Sequence, residues 1–199
     1  MYDIILDPMD YDGSQLHHAF AYEQKGVLGD SIVSFIGAAN VKDHLVDLED
    51  SLKNDFISSK KMLHFIIEIF NISITESVLW QRVLVKEILD VLRVSGRAAP
   101  TQFYRKGDDI MITLSPLNCN EMIVPRKMSV SIATLSRFSG LVHLGLNIDV
   151  GESCPVPALG LYYLGYNDIE IEKFQRTVLT NFINEFNSIK KATYKVIEV

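Results

Sequence analysis

The chain has 199 residues, of which 48% carry apolar side chains and 22% are charged, so a packed core is expected and intrinsic disorder is not. A net charge of −6 argues against a protein that binds nucleic acid through an overall positive field. The acidic residues are concentrated near the start, where residues 1–55 contain 11 acids and 3 bases, whereas residues 101–199 contain 10 of each. Any acidic site is therefore expected to draw on the N-terminal third.

The N-terminal segment Met1–Asp7 contains no basic residue and only a short apolar run, unlike a secretory signal. No stretch approaches the ~18–20 consecutive apolar residues that span a bilayer, so we expect a cytoplasmic protein without membrane contact. The two cysteines, Cys119 and Cys154, form no Cys-x-x-Cys pair, which argues against a disulfide or a zinc site. The absence of a linker-like tract or repeat predicts one domain over residues 1–199, and the composition leaves the oligomeric state open.

The first half of the chain predicts two strands and two helices. Ile32–Ile36 follows a Gly-Asp turn signal and is typical of a buried strand, and the acidic stretch Val41–Leu52 is predicted as a short helix. Met62–Phe70 is apolar, β-branched and aromatic, which indicates a central strand. Ser73–Glu76 has the spacing of a capping box, and the apolar positions after it predict a long amphipathic helix over Thr75–Val94.

The second half predicts more strands and another long helix. Asp109–Leu114, Met128–Ser136 and Leu141–Val150 are rich in Ile, Val, Thr and Leu, and we predict that they form an antiparallel meander. Asn167–Glu170 is a second capping box that opens an amphipathic helix, and Thr193–Val199 is predicted as a final strand. Together the elements indicate an α+β fold in which two long helices flank a largely antiparallel, mixed sheet.

Motifs of several common site types are absent from the sequence. There is no P-loop, no Gly-x-Gly-x-x-Gly, no His-Glu-x-x-His and no Gly-x-Ser-x-Gly. The histidines, which have no ligand-like spacing to one another, are His17, His18, His44, His64 and His143. No metal site is therefore assigned, and the sequence leaves any cofactor unknown.

The segment from Gly107 to Ile148 carries a resemblance to a known superfamily. It reads Gly-Asp-Asp-Ile, then Arg-Lys-Met-Ser-Val-Ser-Ile from Arg126, then His-Leu-Gly-Leu-Asn-Ile from His143. This order resembles the core of the biotin ligase, lipoate ligase and octanoyltransferase superfamily, whose octanoyltransferases carry His-Gly-x-Ala-Leu-Asn-Val as the last element.

At the level of the whole chain, four segments together resemble the prokaryotic domain-of-unknown-function family 366. They are Asp10-Tyr-Asp-Gly-Ser-Gln-Leu16, Gly29-Asp-Ser, Asn40-Val and Gly107-Asp-Asp-Ile. Both resemblances imply a fold related to the class II synthetase and biotin/lipoate ligase catalytic domain, and the second implies no activity.

The superfamily resemblance implies roles for two reactive side chains. Lys127 matches the lysine that points its ammonium at an acyl carbonyl or acyl phosphate, where negative charge develops during the reaction. Cys154 lies in a loop after the Asn147 strand, where octanoyltransferases carry an acyl-accepting cysteine. It follows Asn147 by only seven residues and precedes a proline, which departs from that pattern. The alternatives are a solvated lysine at the start of a strand and a small, semi-buried loop cysteine.

Five further residues are predicted to bind the substrate, and they are Asp30, His64, Asp109, His143 and Asn147. The alternative for the histidines is hydrogen bonding within the core, and for the aspartates exposure to solvent. The ligases hold ATP phosphates with basic, glycine-rich loops, whereas the glycines around Asp30 lie in an acidic stretch. Two functions remain: an acyltransferase or ligase-like enzyme acting on a small carboxylate or acyl group, and a non-catalytic module that binds a small molecule or a protein.

Overall fold

A computed structural model describes residues 1–53, 55–99, 102–114, 124–152 and 154–197. The strands are β1 Tyr2–Ile5, β2 Ser31–Val41, β3 Ile57–Phe70, β4 Phe103–Lys106, β5 Asp109–Ile112, β6 Arg126–Lys127, β7 Ser129–Leu135 and β8 Ser139–Asp149. The helices are α1 Phe20–Lys25, α2 Leu48–Lys53, α3 Ile74–Val94 and α4 Asp168–Tyr194, with a 3₁₀ helix at Leu161–Leu164. In the described residues, no helix is both long and apolar enough to cross a membrane.

Five strands form the main sheet, in the order β1-β2-β3-β8-β7. The first two strands are parallel and every other neighbouring pair is antiparallel, so the sheet is mixed but largely antiparallel. The long strands β3 and β8 pair near its centre, where residues 62–69 of β3 and 139–148 of β8 are buried. The predicted central strand over Met62–Phe70 and the predicted α+β class are both confirmed.

The two long helices cover one face of this sheet. Alternate residues of β3 (Leu63, Phe65 and Ile67) belong to the same apolar core as the buried faces of α3 and α4. Each helix begins at a predicted capping box. The side chain of Ser73 or Asn167 accepts a hydrogen bond from the backbone N–H of the glutamate three residues later, and the side chain of that glutamate accepts one from the backbone N–H of Ser73 or Asn167. Local sequence therefore determines where both helices begin.

Residues 6–21, here called the N-terminal segment, cover the opposite face of the sheet. The carboxylate of Glu68, buried on β3, accepts hydrogen bonds from Nδ1 of His18 at 2.8 Å, from the backbone N–H of Ala19 and from the hydroxyl of Ser139. Near the other end of the segment, a Cβ on Gly37 would lie 1.8 Å from the carbonyl oxygen of Met9. The segment therefore packs directly on this face of the sheet.

Three predicted elements differ from the observed ones. The acidic helix over Val41–Leu52 is wrong in extent, because the ladder of β2 against β3 continues past a bulge to Val41 and α2 covers only Leu48–Lys53. The three-strand meander is also wrong: β5 pairs with β4 and β6 in a separate three-stranded sheet, since a tight Gly-Asp turn joins β4 directly to β5.

The predicted last strand, Thr193–Val199, is the third difference. Helix α4 continues to Tyr194, and residues 195–197 belong to no strand, while residues 198 and 199 lie outside the described part of the chain. The side chains of Tyr194, Val196 and Ile197 are exposed, so these three apolar residues are not packed in the core.

Candidate functional site

An open cavity of about 480 Å³ lies where the main sheet meets the three-stranded sheet. Its wall includes five residues that the sequence predicted for the site: Asp109, Lys127, His143, Asn147 and Cys154. They come from β5, β6, β8 and the loop after β8, so the fold collects them from distant parts of the chain.

Backbone hydrogen bonds hold Lys127 at the cavity wall. Its N–H donates to the carbonyl of Pro157 at 2.9 Å, and its carbonyl accepts from the N–H of Leu159 at 3.0 Å. On its other side, Lys127 pairs with Met111 of β5. The end of this short strand is therefore fixed between two chain segments, and the side chain of Lys127 extends from a rigid base.

The ammonium of Lys127 lies 2.9 Å from Oδ1 of Asp109, with the two side chains 31% and 25% exposed. Strand register explains the pair, because Asp109 is two residues before Met111 and so projects from the same face of the sheet as the paired Lys127. Burial raises the pKa of Asp109, and the ion pair with Lys127 opposes that rise. The cavity thus contains a partly desolvated ion pair.

The neighbouring residue Asp108 anchors the turn that carries Asp109. Its carboxylate accepts hydrogen bonds from Nε2 of Gln81 on α3 at 3.1 Å and from the hydroxyl of Ser131 on β7 at 3.0 Å. These bonds connect the three-stranded sheet to a helix and to the main sheet. Asp109 is therefore held in place relative to β8 as well as to Lys127.

Two buried histidines form a hydrogen-bonded chain behind the wall. Nδ1 of His64 lies 3.1 Å from Nε2 of His143, and Nε2 of His64 lies 3.3 Å from the carbonyl oxygen of Gly37. Burial lowers the pKa of both rings, to about 4 for His64, so both are neutral at physiological pH. His143 reaches the cavity wall, whereas His64 lies behind it and contacts the cavity through His143.

Tyr11 is a cavity residue that the sequence analysis missed. Its ring stacks on His143 with 3.8 Å between the ring centres and an angle of 10° between the planes. Burial raises the pKa of its hydroxyl, so the phenol is neutral. The segment that contains Tyr11 carried part of the family resemblance, but nothing local indicated that this side chain would reach β8.

Asn147 and Cys154 complete the part of the wall near Lys127. The backbone N–H of Asn147 donates to the carbonyl of Met128 at 2.8 Å, which places its side chain beside the lysine. The half-buried thiol of Cys154 donates to the carbonyl of Val156 within its own loop at 3.4 Å. Cys119 lies outside the described residues.

Asp30 is not part of the cavity. It precedes β2, whereas the cavity wall contains Val41 at the opposite end of that strand. Its carboxylate accepts the backbone N–H of Phe70 at 2.9 Å, which ties the end of β3 to the start of β2. The glycines around it accordingly build no part of this site.

Described residues of the segment 42–56, which connects β2 to β3, form the other wall. This segment contains five acidic and two basic residues, and Asp47, Asp55 and Phe56 are among those that line the cavity. The sequence analysis expected an acidic site to draw on the N-terminal third, which includes this segment, but it did not predict the position of the segment at the cavity. Within the described ranges, no group of three or more His, Cys, Asp or Glu residues is arranged to hold a metal ion.

Comparison with known structures identifies the fold. A protein of unknown function from Pyrococcus horikoshi has a TM-score of 0.83 and 32% identity, with 99% of both chains covered. A biotin protein ligase from Aquifex aeolicus, in complex with biotin and ATP, has a TM-score of 0.60 and 15% identity over 94% of this chain and 72% of the ligase. A bi-partite lipoate protein ligase from Thermoplasma acidophilum has a TM-score of 0.54 and 13% identity over 94% of this chain and 84% of the ligase.

These similarities confirm the predicted relation to the biotin/lipoate ligase fold. Residues 1–197 also match the family described as Domain of unknown function (DUF366), as the whole-chain resemblance predicted. The chain therefore belongs to the DUF366 family and has the fold of the biotin and lipoate protein ligases.

Proposed function

We propose that the cavity binds a small carboxylate or acyl compound and that the ammonium of Lys127 contacts its oxygen. The observation that carries this proposal is the position of Lys127 on the wall of the cavity, with Asp109 at 2.9 Å. An ammonium has three N–H donors, and Asp109 is its single hydrogen-bonded partner among the described residues. The remaining donors are available to the oxygens of a ligand.

The related fold supports this class of ligand. The biotin protein ligase of similar fold was solved with biotin and ATP, and the other neighbour is a lipoate protein ligase. Biotin and lipoate are both carboxylic acids with an apolar body. The cavity here offers a comparable combination, because Lys127 shares its wall with apolar side chains that include Met62, Val130 and Ile132.

The charge of the opposite wall argues against a triphosphate as the second substrate. Residues 42–56 carry net negative charge, and Asp47 and Asp55 line the cavity, so a polyanion would meet like charge there. An acyl group would then arrive already activated, for example as a thioester, rather than being activated by ATP at this site.

Acyl transfer is the reaction that fits an activated donor. The thiol of Cys154 would lose its proton and its sulfur would attack the carbonyl of a thioester, while Lys127 stabilises the developing oxyanion. The carbon–sulfur bond to the donor then breaks and the donor thiol leaves with a proton. Cys154 lines the same cavity as Lys127, which favours this step.

A non-catalytic binding protein is the second candidate. Its support is that the thiol of Cys154 donates to the carbonyl of Val156 in its own loop and that the charge of residues 42–56 is opposite to that of a phosphate-binding loop. Both candidates require the same contact between Lys127 and a ligand oxygen, so binding and chemistry are tested separately.

Calorimetric titration with octanoate, lipoate and biotin tests binding. At least one acid should bind the native protein, and Lys127→Ala should weaken that binding about tenfold or more because a charge-assisted hydrogen bond is lost. Lys61→Ala is a matched control, since Lys61 pairs with Asp168 at 2.8 Å, is 32% exposed and lies off the cavity wall. Equal affinity of the native and Lys127→Ala proteins would refute the proposal.

Intact-mass analysis after incubation with a soluble octanoyl thioester tests chemistry. Acyl transfer predicts one added octanoyl group, located at Cys154 rather than Cys119 by peptide mapping and absent in Cys154→Ser. Binding of an acid without any adduct would support the non-catalytic candidate.

A further inference from the structure

We propose that His143 presents an unprotonated Nδ1 as a hydrogen-bond acceptor in the cavity, an inference that rests on the proposed function. The ligand would then carry an N–H or O–H donor as well as a carboxyl or acyl oxygen. The ligand would be recognised at two points, by a cation at Lys127 and by a neutral acceptor at His143.

Hydrogen-bond partners assign the tautomer of each ring. The carbonyl oxygen of Gly37 accepts only, so Nε2 of His64, at 3.3 Å from it, must carry the proton. In a neutral ring the other nitrogen is then an acceptor, and Nδ1 of His64 accepts a proton from Nε2 of His143 across 3.1 Å. Nδ1 of His143 consequently carries no proton, and its lone pair can accept a hydrogen bond.

That lone pair has no hydrogen-bond partner among the residues the structure describes, although the His143 side chain is nearly fully buried and lines the cavity. This nitrogen is not one of the sealed, unpartnered atoms in the described part of the chain, so it is accessible from the cavity and can accept a hydrogen bond from a ligand donor. The lowered pKa of His143 keeps the ring neutral and the acceptor intact at neutral pH.

The surroundings of His143 favour an in-plane hydrogen bond. Tyr11 stacks on one face of the ring and so restricts approach from that face. The adjacent residues Val130 and Ile132 on β7 are also on the cavity wall, and Ile132 pairs directly with His143. Because these neighbours are apolar, a donor that reaches Nδ1 faces little competition from the protein for that bond.

The two recognition points are separated along β8. Asn147, which lies beside Lys127, is four residues from His143, so their backbones are about 13 Å apart in an extended strand. A ligand that meets both points therefore has its donor several bonds away from its carboxyl oxygen, as in a hydroxy acid with the hydroxyl near the far end of the chain.

Matched pairs of unbranched acids test this inference. Each pair consists of an acid of six to ten carbons and the same acid with a terminal hydroxyl, titrated by calorimetry at neutral pH. For at least one chain length, the hydroxy acid should bind the native protein about fivefold tighter or more than its parent. His143→Phe, which retains an aromatic ring opposite Tyr11 but has no acceptor, should abolish that preference, and His17→Phe, outside the cavity, should retain it.

Side-chain ¹⁵N NMR of the native protein provides a readout that needs no variant. Nδ1 of His143 should show the shift of an unprotonated nitrogen, and the hydroxy acid but not its parent should move that resonance. A protonated Nδ1, or equal affinities for both members of every pair, would overturn this inference and leave the proposed function standing. If no acid binds at all, the proposed function fails and this inference fails with it.

Discussion

The ammonium of Lys127 lies 2.9 Å from the carboxylate of Asp109, and both side chains line the cavity between the two sheets. A ligand carboxylate at Lys127 would have to share the ammonium with Asp109 and would lie close to a second negative charge. The pair therefore sets both the position of the cation and the limit on how tightly it binds an anion.

Asp109→Asn should strengthen the binding of an acid. The amide removes the competing charge without changing the size of the side chain, so we expect the Kd for octanoate to fall severalfold. The free energy of unfolding should change by about 1 kcal/mol or less, because the pair is partly exposed. Asp168→Asn, which removes the charged partner of Lys61, should leave the Kd unchanged. A weaker affinity in Asp109→Asn would contradict this interpretation of the pair.

Two glycines on the cavity side of the sheet should respond differently to alanine. A Cβ at Gly145 would meet the flexible end of Met62 at 2.9 Å, whereas one at Gly37 would lie 1.8 Å from a backbone carbonyl. We expect Gly145→Ala to cost about 1 kcal/mol and to weaken ligand binding by pushing Met62 into the cavity, and Gly37→Ala to cost about 3 kcal/mol. Chemical denaturation measures both, and equal costs would show that the N-terminal segment does not lie rigidly on the sheet.

The buried histidines should make the protein less stable in mild acid. Burial lowers the pKa of His64 to about 4 in the folded state, whereas the unfolded chain binds its proton near the ordinary value of about 6.5. The free energy of unfolding therefore has its full value above pH 6.5 and decreases as the pH falls toward 4, because the unfolded chain binds the proton more tightly. The decrease due to His64 is about 2 kcal/mol at pH 5.

Denaturation curves at pH 7 and pH 5 measure this effect. His64→Phe should lose markedly less stability than the native protein between the two values, whereas His17→Phe, at a half-buried histidine outside the cavity, should behave like the native protein. A native protein as stable at pH 5 as at pH 7 would rule out neutral, buried rings.

Glu68→Gln should loosen the N-terminal segment. The buried carboxylate accepts bonds from His18, Ala19 and Ser139, and an amide can satisfy these donors less fully and without charge. We expect a loss of about 2 kcal/mol in the free energy of unfolding. Amide hydrogen exchange should accelerate at Ala19 far more than at Val178 in α4, and uniform acceleration along the chain would show that the segment has no separate anchor.

The parts of the fold that local sequence determines were predictable. Capping boxes at Ser73 and Asn167 start both long helices, and the apolar, β-branched run from Met62 indicated the central strand. The pairing partners of the strands were not predictable in the same way. A short turn pairs β5, which contains Asp109, with β4 instead of with the strands of the main sheet. The apolar residues near the C-terminus resembled a strand, yet α4 extends into that segment.

The candidate site was predictable where it lies on strands whose order matched the superfamily. Lys127, His143 and Asn147 meet at one cavity because β6, β7 and β8 follow that order. Tyr11, Asp47 and Asp55 reach the cavity through tertiary packing alone, which leaves no periodic signal in the sequence. Asp30 was predicted as a site residue because it is an acidic residue among glycines. Instead its carboxylate binds the backbone N–H of Phe70 at the start of β2, the end of that strand away from the cavity.

The crystal structure of the protein bound to the tightest acid from the calorimetric series tests the central claim most directly. We expect a carboxylate oxygen of the ligand about 3 Å from Nζ of Lys127, with the body of the ligand inside the cavity. A ligand whose carboxylate lies away from Lys127, or that binds outside this cavity, would contradict the account.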